Sequence, residues 1–152
     1  MKHPTPTDEI PPRRAEALRR LAWFRYRLRC FVRFSERVSR ACGITPQQHQ
    51  LLLGAAGYTG RGWATISELA EFLQGRHNAV VGLVQRAAER GLVRKIPGAK
   101  DRRFVKVHLT RKGYTILDKI SRQNIAELRA LQFEIMKTPQ PPPRDIPAAQ
   151  GT

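Results

Sequence analysis

Acidic side chains are scarce in this sequence. Twelve Asp and Glu stand against 28 Lys and Arg, which leaves a formal net charge of +16. Cysteine is nearly absent. Cys30 and Cys42 are the only two in 152 residues, too few for a disulfide framework, and their thiols are expected to stay reduced, as in a cytosol. No Cys/His cluster has zinc spacing. Long apolar runs are missing too: none approaches the ~18 residues of a membrane span. The opening MKHPTPTDEIPP lacks the apolar stretch of a signal peptide. No Ser/His/Asp set, carboxylate pair or phosphate-binding loop stands out. The expectation is a non-enzyme without metal or cofactor, with no membrane partner, in the cytoplasm and close to the nucleoid.

What is present is arginine. A pI near 11.3 points to a polyanionic partner, nucleic acid first. Residues 12–42 carry ten Arg and two Glu, and residues 76–103 carry eight Lys or Arg against Glu89 and Asp101. The stretch 43–75 between them is slightly acidic. Two basic blocks around a neutral one suggest a shaped surface rather than a charged tail.

The chain length predicts one domain. Residues 1–11 read as a loose polar arm, 12–136 as the folded domain, and 137–152 as a Pro-rich tail outside any fold. A long first helix is expected over about 13–42. Leu21, Phe24, Leu28, Phe31, Ser35, Val38 and Cys42 recur along one face, widened by Trp23, Cys30 and Phe34. Some thirty residues exceed what a small core needs, so part of this helix is expected to pack on a second subunit. The alternative is a helix that folds back on its own chain.

Gly43 is placed to end that helix. Thr45-Pro46-Gln47-Gln48 reads as the capped start of a second helix, which runs to about Ala56 and gives way to a loop over 57–62. Thr65-Ile66-Ser67-Glu68 is a second capping box and opens a helix over 66–73. After a turn at Gln74-Gly75 a fourth helix is expected over about 76–90. Val80, Leu83, Val84 and Ala87 form its apolar side, and Gly91 stops it. Strands at Leu92–Ile96 and Phe104–Leu109 flank a turn with Lys100, Asp101, Arg102 and Arg103. Thr110 caps a last helix over 111–136, with Ile116, Leu117, Ile120, Ile125, Leu128, Leu131 and Ile135 on its apolar side.

Helix, tight turn and helix over 65–90 form the unit that lays its second helix in a major groove. The outward side of that helix offers Arg76, His77, Asn78 and Gln85, types that read guanine and adenine edges. Ala79 and Gly82 leave room for close approach of the backbone. The cationic hairpin directly after it suits a wing that tracks the phosphate backbone or enters a minor groove. Asp101 is expected to hold Arg103 in one orientation through a charge-assisted bond. An ordinary amphipathic helix pair and a solvated turn are the plainer readings.

The stretch LAEFLQGRHNAVVGLVQRAAERGLVRKIPGAKDRRFVKVHLTRKG resembles the core of the multiple-antibiotic-resistance regulator (MarR) family. Leu69-Ala70-Glu71, a recognition helix, Gly91-Leu92-Val93, Asp101-Arg102-Arg103 and Leu109-Thr110-Arg111-Lys112-Gly113 come in that family's order. GITPQQHQLLL is similar to its preceding helix, so the likeness covers about residues 30–130. The resemblance implies a mainly α winged helix-turn-helix with a small β-hairpin wing. Residues 45–110 would be the DNA-binding head, and 12–42 and 111–136 the dimerisation helices. It implies a homodimeric transcriptional regulator, more often a repressor, on a pseudo-palindromic site in double-stranded DNA. It also implies release by a small aromatic or anionic effector. Arg76, His77, Asn78 and Gln85 fall at the recognition positions, and Lys100, Asp101, Arg102 and Arg103 at the wing. Leu21, Phe24, Leu28, Phe31, Leu128 and Leu131 fall in the dimer interface. Two features depart from the pattern. The chain turns to TPQPPP after Met136, where many members continue into another helix, and Gly75 stands at a usually aliphatic position.

Other residues read more plainly. Arg27 and Arg33 flank Cys30 on one helix face, an arrangement that favours a thiolate and a redox role, but packing is the expected role of both cysteines. His49 stands alone. Trp23, Tyr26, Tyr58 and Trp63 are expected in packing rather than in a pocket. The rival functional reading is a non-specific nucleoid-architectural or RNA-binding protein on the same scaffold, which would favour Lys and Arg over a mixed polar face on the fourth helix. A membrane-surface role for the Arg-rich first helix would leave the winged pattern unexplained.

Overall fold

The computed structural model describes residues 10–101 and 103–137. Most of the expected arm and tail, and Arg102, lie outside the described residues. The elements follow in the order α1 (Pro12–Ala41), α2 (Pro46–Leu53), a π-helical turn (Gly54–Tyr58), β1 (Trp63–Thr65), α3 (Ile66–Leu73), α4 (His77–Glu89), β2 (Val93–Pro97), β3 (Val105–Leu109) and α5 (Arg111–Met136). The mainly helical winged architecture expected from the sequence is what the chain adopts.

Local chemistry starts these helices. The Thr45 and Thr65 side chains accept from the N–H of Gln48 and Glu68, whose side chains accept in return from the Thr45 and Thr65 N–H, so both capping boxes are complete. Thr110 Oγ1 accepts from Gly113 N–H at the head of α5. Three helices end in the same paired pattern. After α1, Gly43 N–H reaches Arg40 O and Ile44 N–H reaches Ser39 O. After α4, Gly91 and Leu92 reach Ala88 and Ala87. In both turns a glycine takes the left-handed position, with φ of 81° and 69°. After α3 that position falls to Gln74, at φ 50°, and Gly75 N–H closes the pattern on Ala70 O. The α3–α4 turn is therefore tight despite Gly75.

Two elements differ from the sequence expectation. The second helix does not fray into a loop at Gly57 but widens into the π-helical turn. Gly54 lies against Phe72 there, where a Cβ would come within 2.6 Å of the ring. Residues 63–65 form a third strand, so the sheet has the order β1-β3-β2, all antiparallel. The strand shares out β3's hydrogen bonds but is too short to show alternation.

The core lies between the sheet, α2, α3, α4 and the first turns of α5. Leu51, Leu52, Leu69, Val84, Leu92, Val107 and Ile120 are fully buried there. The long helices run antiparallel. Asn124 Nδ2 donates to Ser35 Oγ at 3.0 Å, and Trp23 Nε1 meets Glu134 O at 3.5 Å. The first helix thus folds along its own chain on one side. Leu18, Leu21, Phe24 and Val32 on α1, and Ile125, Leu128, Phe133 and Met136 on α5, stay exposed.

Gly113 is where the fold is tightest. A Cβ there would stand 2.1 Å from Leu92 O, backbone that also serves Thr110. Gly113→Ala must push the β2 entry off α5, and we expect a loss of about 1–3 kcal/mol of unfolding free energy in urea titration. An unchanged midpoint would show that the contact yields freely.

Candidate nucleic-acid interface

The cap of α3 and its closed turn fix α4 in place, and the burial pattern fixes its rotation. Val80, Leu83, Val84 and Ala87 are buried, while Asn78, Ala79, Val81, Gln85 and Arg86 are exposed. Arg76 is the N-cap residue rather than the first helical one, and His77 begins the helix. Both are exposed. Gly82 lies within the outward face. A Cβ there would meet only the flexible end of Arg86, at 3.2 Å.

Gln85 is less free than its exposure suggests. Lys95 Nζ, from β2, donates to its Oε1, and its Nε2 donates to Glu89 at 3.1 Å. Its amide is held in one orientation by two neighbours, a feature that helical spacing cannot reveal because Lys95 belongs to another element.

At the wing, Asp101 Oδ1 accepts from the Arg103 N–H at 2.9 Å and from its Nε at 3.4 Å. The pairing expected from the sequence is present. The Arg103 side chain is 93% exposed all the same, so the bond orients the guanidinium without covering it, and Lys100 is exposed nearby. Arg103 and Lys95 share a cleft with His77, Val81 and Phe104. The structure thus brings His77 and the wing arginine together between α4 and the hairpin, while Asn78 and Gln85 lie further along the outward face.

Of the residues assigned to subunit contact, Leu21, Phe24 and Leu128 are exposed, Leu28 and Phe31 are half-buried, and Leu131 is 6% exposed within the single chain. Cys30 is half-buried beside Tyr26, whose hydroxyl pKa it raises. Cys42 lies about 18 Å further along the helix axis, beyond disulfide reach. The four aromatics do not converge on one pocket. Trp23 pairs with Tyr26, Tyr58 with Phe72, and Trp63 with His108. His49 is buried at 2% exposure, and burial lowers its pKa from 6.5.

Sequence reasoning missed one surface group altogether. Arg61, Trp63, Arg94, Lys106 and His108 gather on the outer face of the sheet. Without β1 in the expected topology, nothing in the sequence places Trp63 beside β3.

Among the described residues no group of His, Cys, Asp and Glu has the geometry to hold a metal, and no helix is long and apolar enough to cross a membrane. The arrangement is that of a winged helix-turn-helix protein. Residues 43–103 match the model of the MarR family. Solved structures agree with the fold. AbsC, a MarR family transcriptional regulator from Streptomyces coelicolor, is 19% identical over 86% of each chain, with a TM-score of 0.67. Transcriptional regulator Tm0710 from Thermotoga maritima is 26% identical over 74% of this chain and 78% of its own, with a TM-score of 0.55. A mutant MarR from E. coli, solved in complex with operator DNA, is 19% identical over 74% of this chain and 90% of its own, with a TM-score of 0.56. No curated protein sequence matches the chain.

Gly82 offers a test that separates stability from surface function. Gly82→Ala removes a helix-interior glycine and should stabilise the fold by roughly 0.5–1 kcal/mol. The same methyl should weaken duplex binding if the α4 backbone approaches the bases. Thermal unfolding and a duplex titration on the same variant check both, and unaltered affinity would remove close approach at this position.

Proposed function

We propose that this protein is a sequence-specific, homodimeric DNA-binding transcriptional regulator, acting as a repressor on a pseudo-palindromic operator. The observation that carries the reading is the division of α4. Its apolar side is sealed in the core, and its outward side is slim and polar, with a cationic hairpin beside it. Arg76, His77, Asn78 and Gln85 would face base edges in the major groove, where Arg suits guanine and Asn or Gln suits adenine. Lys100, Arg102 and Arg103 would follow the adjacent backbone or minor groove, with Asp101 orienting Arg103. A purely electrostatic binder has no use for a mixed polar face, which favours this reading over the architectural one.

The exposed apolar strip on α1 and α5 supports the dimer. Leu21 is 58% and Phe24 41% exposed, as are Leu128 at 39% and Phe133 at 63%, a concentration that marks an interaction surface. Arg27 Nε and Asn124 Oδ1 are buried without a hydrogen-bond partner among the described residues, and buried polar atoms normally have one. The folded domain would extend over 12–136, with the head at 45–110 between the dimerisation helices. A small aromatic or anionic effector would enter the cleft of about 260 Å³ between α1 and α2 lined by Phe31, Ser35, Ser39 and His49. That volume lies just under the roughly 300–1,000 Å³ usual for small-molecule sites. Binding there would tilt the head against α1.

Selection of bound duplexes from a random pool at near-physiological salt tests the reading. The expected product is an inverted repeat with half-sites about one helical turn apart. On that sequence Arg103→Ala should weaken binding roughly ten- to hundredfold. Binding without sequence enrichment, fading only with salt, would transfer the protein to the architectural class.

A further inference from the structure

The outer face of the sheet carries positive charge that neither the core nor the α4 surface uses. The strand register sets Trp63 opposite His108 and His108 opposite Arg94, with Lys106 opposite Thr65 and Ile96 in the next row on the same face. The Arg61 guanidinium lies 4.0 Å and the Lys106 ammonium 4.5 Å from the Trp63 ring centroid, and His108 is stacked at 6.1 Å. Glu68 is the one carboxylate paired here among the described residues, and it binds Arg61 at 2.5 Å. Arg94 and Lys106 make no ion pair among the described residues.

Crowding cations costs free energy unless something holds them and something anionic meets them. The indole does the holding: attraction to its ring fixes two cationic heads, those of Arg61 and Lys106. The group is also continuous with the wing. Lys106 stands one residue from Val105, which pairs with Pro97 at the hairpin's end. The group therefore begins at the base of the wing, on the sheet face turned away from the α4 cleft that Arg103 and Lys95 line. Guanidinium groups suit phosphate oxygens, which they bind in pairs.

We propose that this face is an accessory phosphate-binding surface, which takes the backbone of duplex DNA flanking the half-site and draws that flank around the wing. The inference rests on the DNA-reading function proposed above. Arg94 and Lys106 contact phosphate, and Trp63 is a positioning residue that holds Lys106 at its ring as it does Arg61.

Two duplexes test it: the selected inverted repeat cut at its ends, and the same repeat with about ten base pairs of arbitrary sequence on each side. For the native protein the flanks should raise affinity. They should also steepen the slope of log affinity against log salt by about 3.6, since each of the two subunits engages two phosphates at about 0.9 apiece. The double variant Arg94→Ala/Lys106→Ala should lose that gain and bind the short duplex as the native protein does. Trp63→Leu should lose it in part, and Trp63→Phe should keep it. A native protein that gains nothing from flanks, or a double variant that keeps the gain, overturns the proposal. Flank-independent binding, with retention on poly-glutamate that needs Arg94 and Lys106, overturns it in favour of an acidic protein partner. Loss of sequence preference on both duplexes would count against operator reading itself, and this surface would fall with it.

Discussion

The fold turns on the joint at the C-terminal end of α4. Arg90 Nη1 donates to Gln48 Oε1 at 2.7 Å and Nη2 to Gly43 O at 2.6 Å. Lys112 Nζ donates to Arg90 O at 2.9 Å, Thr110 Oγ1 to Gly91 O at 2.5 Å, and Thr110 N–H to Leu92 O at 3.1 Å. Gly113 then presses against Leu92 O. Within a few residues the end of α4 is tied to the end of α1, the capped start of α2 and the start of α5. Hydrogen bonds to a charged guanidinium are among the stronger ones. Gln48 serves two masters here, since the oxygen that caps α2 also accepts from Arg90.

That joint gives the proposed mechanism its geometry. The long helices and the outward face of α4 are linked through one short rigid segment rather than through a loop. Arg90 bridges the α1–α2 turn and the end of α4, so in the proposed mechanism a change in the angle between α1 and α2 would reach α4 through it. An effector in the α1–α2 cleft would therefore act on the spacing of two heads rather than on any base contact. The wing is set by the same segment, since β2 begins at Val93 directly after it.

The parts of this design that are local in sequence are legible there. Both capping boxes, the Thr110 cap and the buried face of α4 follow from spacing alone, because their partners lie three or four residues apart. So does the Asp101–Arg103 pair, two residues apart. What stays hidden depends on distant partners. Arg90 meets groups 42 and 47 residues away, and Gln85 is tied to Lys95 on another element. Strand β1 has three residues and takes its identity from β3. The left-handed turn at Gln74 is hidden for another reason, since the adjacent Gly75 is the residue that spacing would favour there. The cluster around Trp63 is invisible without β1. The exposed α1 and α5 strips show both sides of the matter: the apolar periodicity is plain in the sequence, and the structure divides it between a face against its own chain and a face left open.

The central claim is that α4 and the wing read one half-site together, from a major groove and the minor groove beside it. Photo-crosslinking from single sites on the selected duplex measures this directly. With a crosslinker at Asn78, the account predicts adducts on bases of the repeat. With one at Lys100, it predicts adducts displaced by about half a helical turn, ~5 base pairs, towards the flank. Adducts scattered along the duplex from both sites, or confined to the backbone at Asn78, would contradict it.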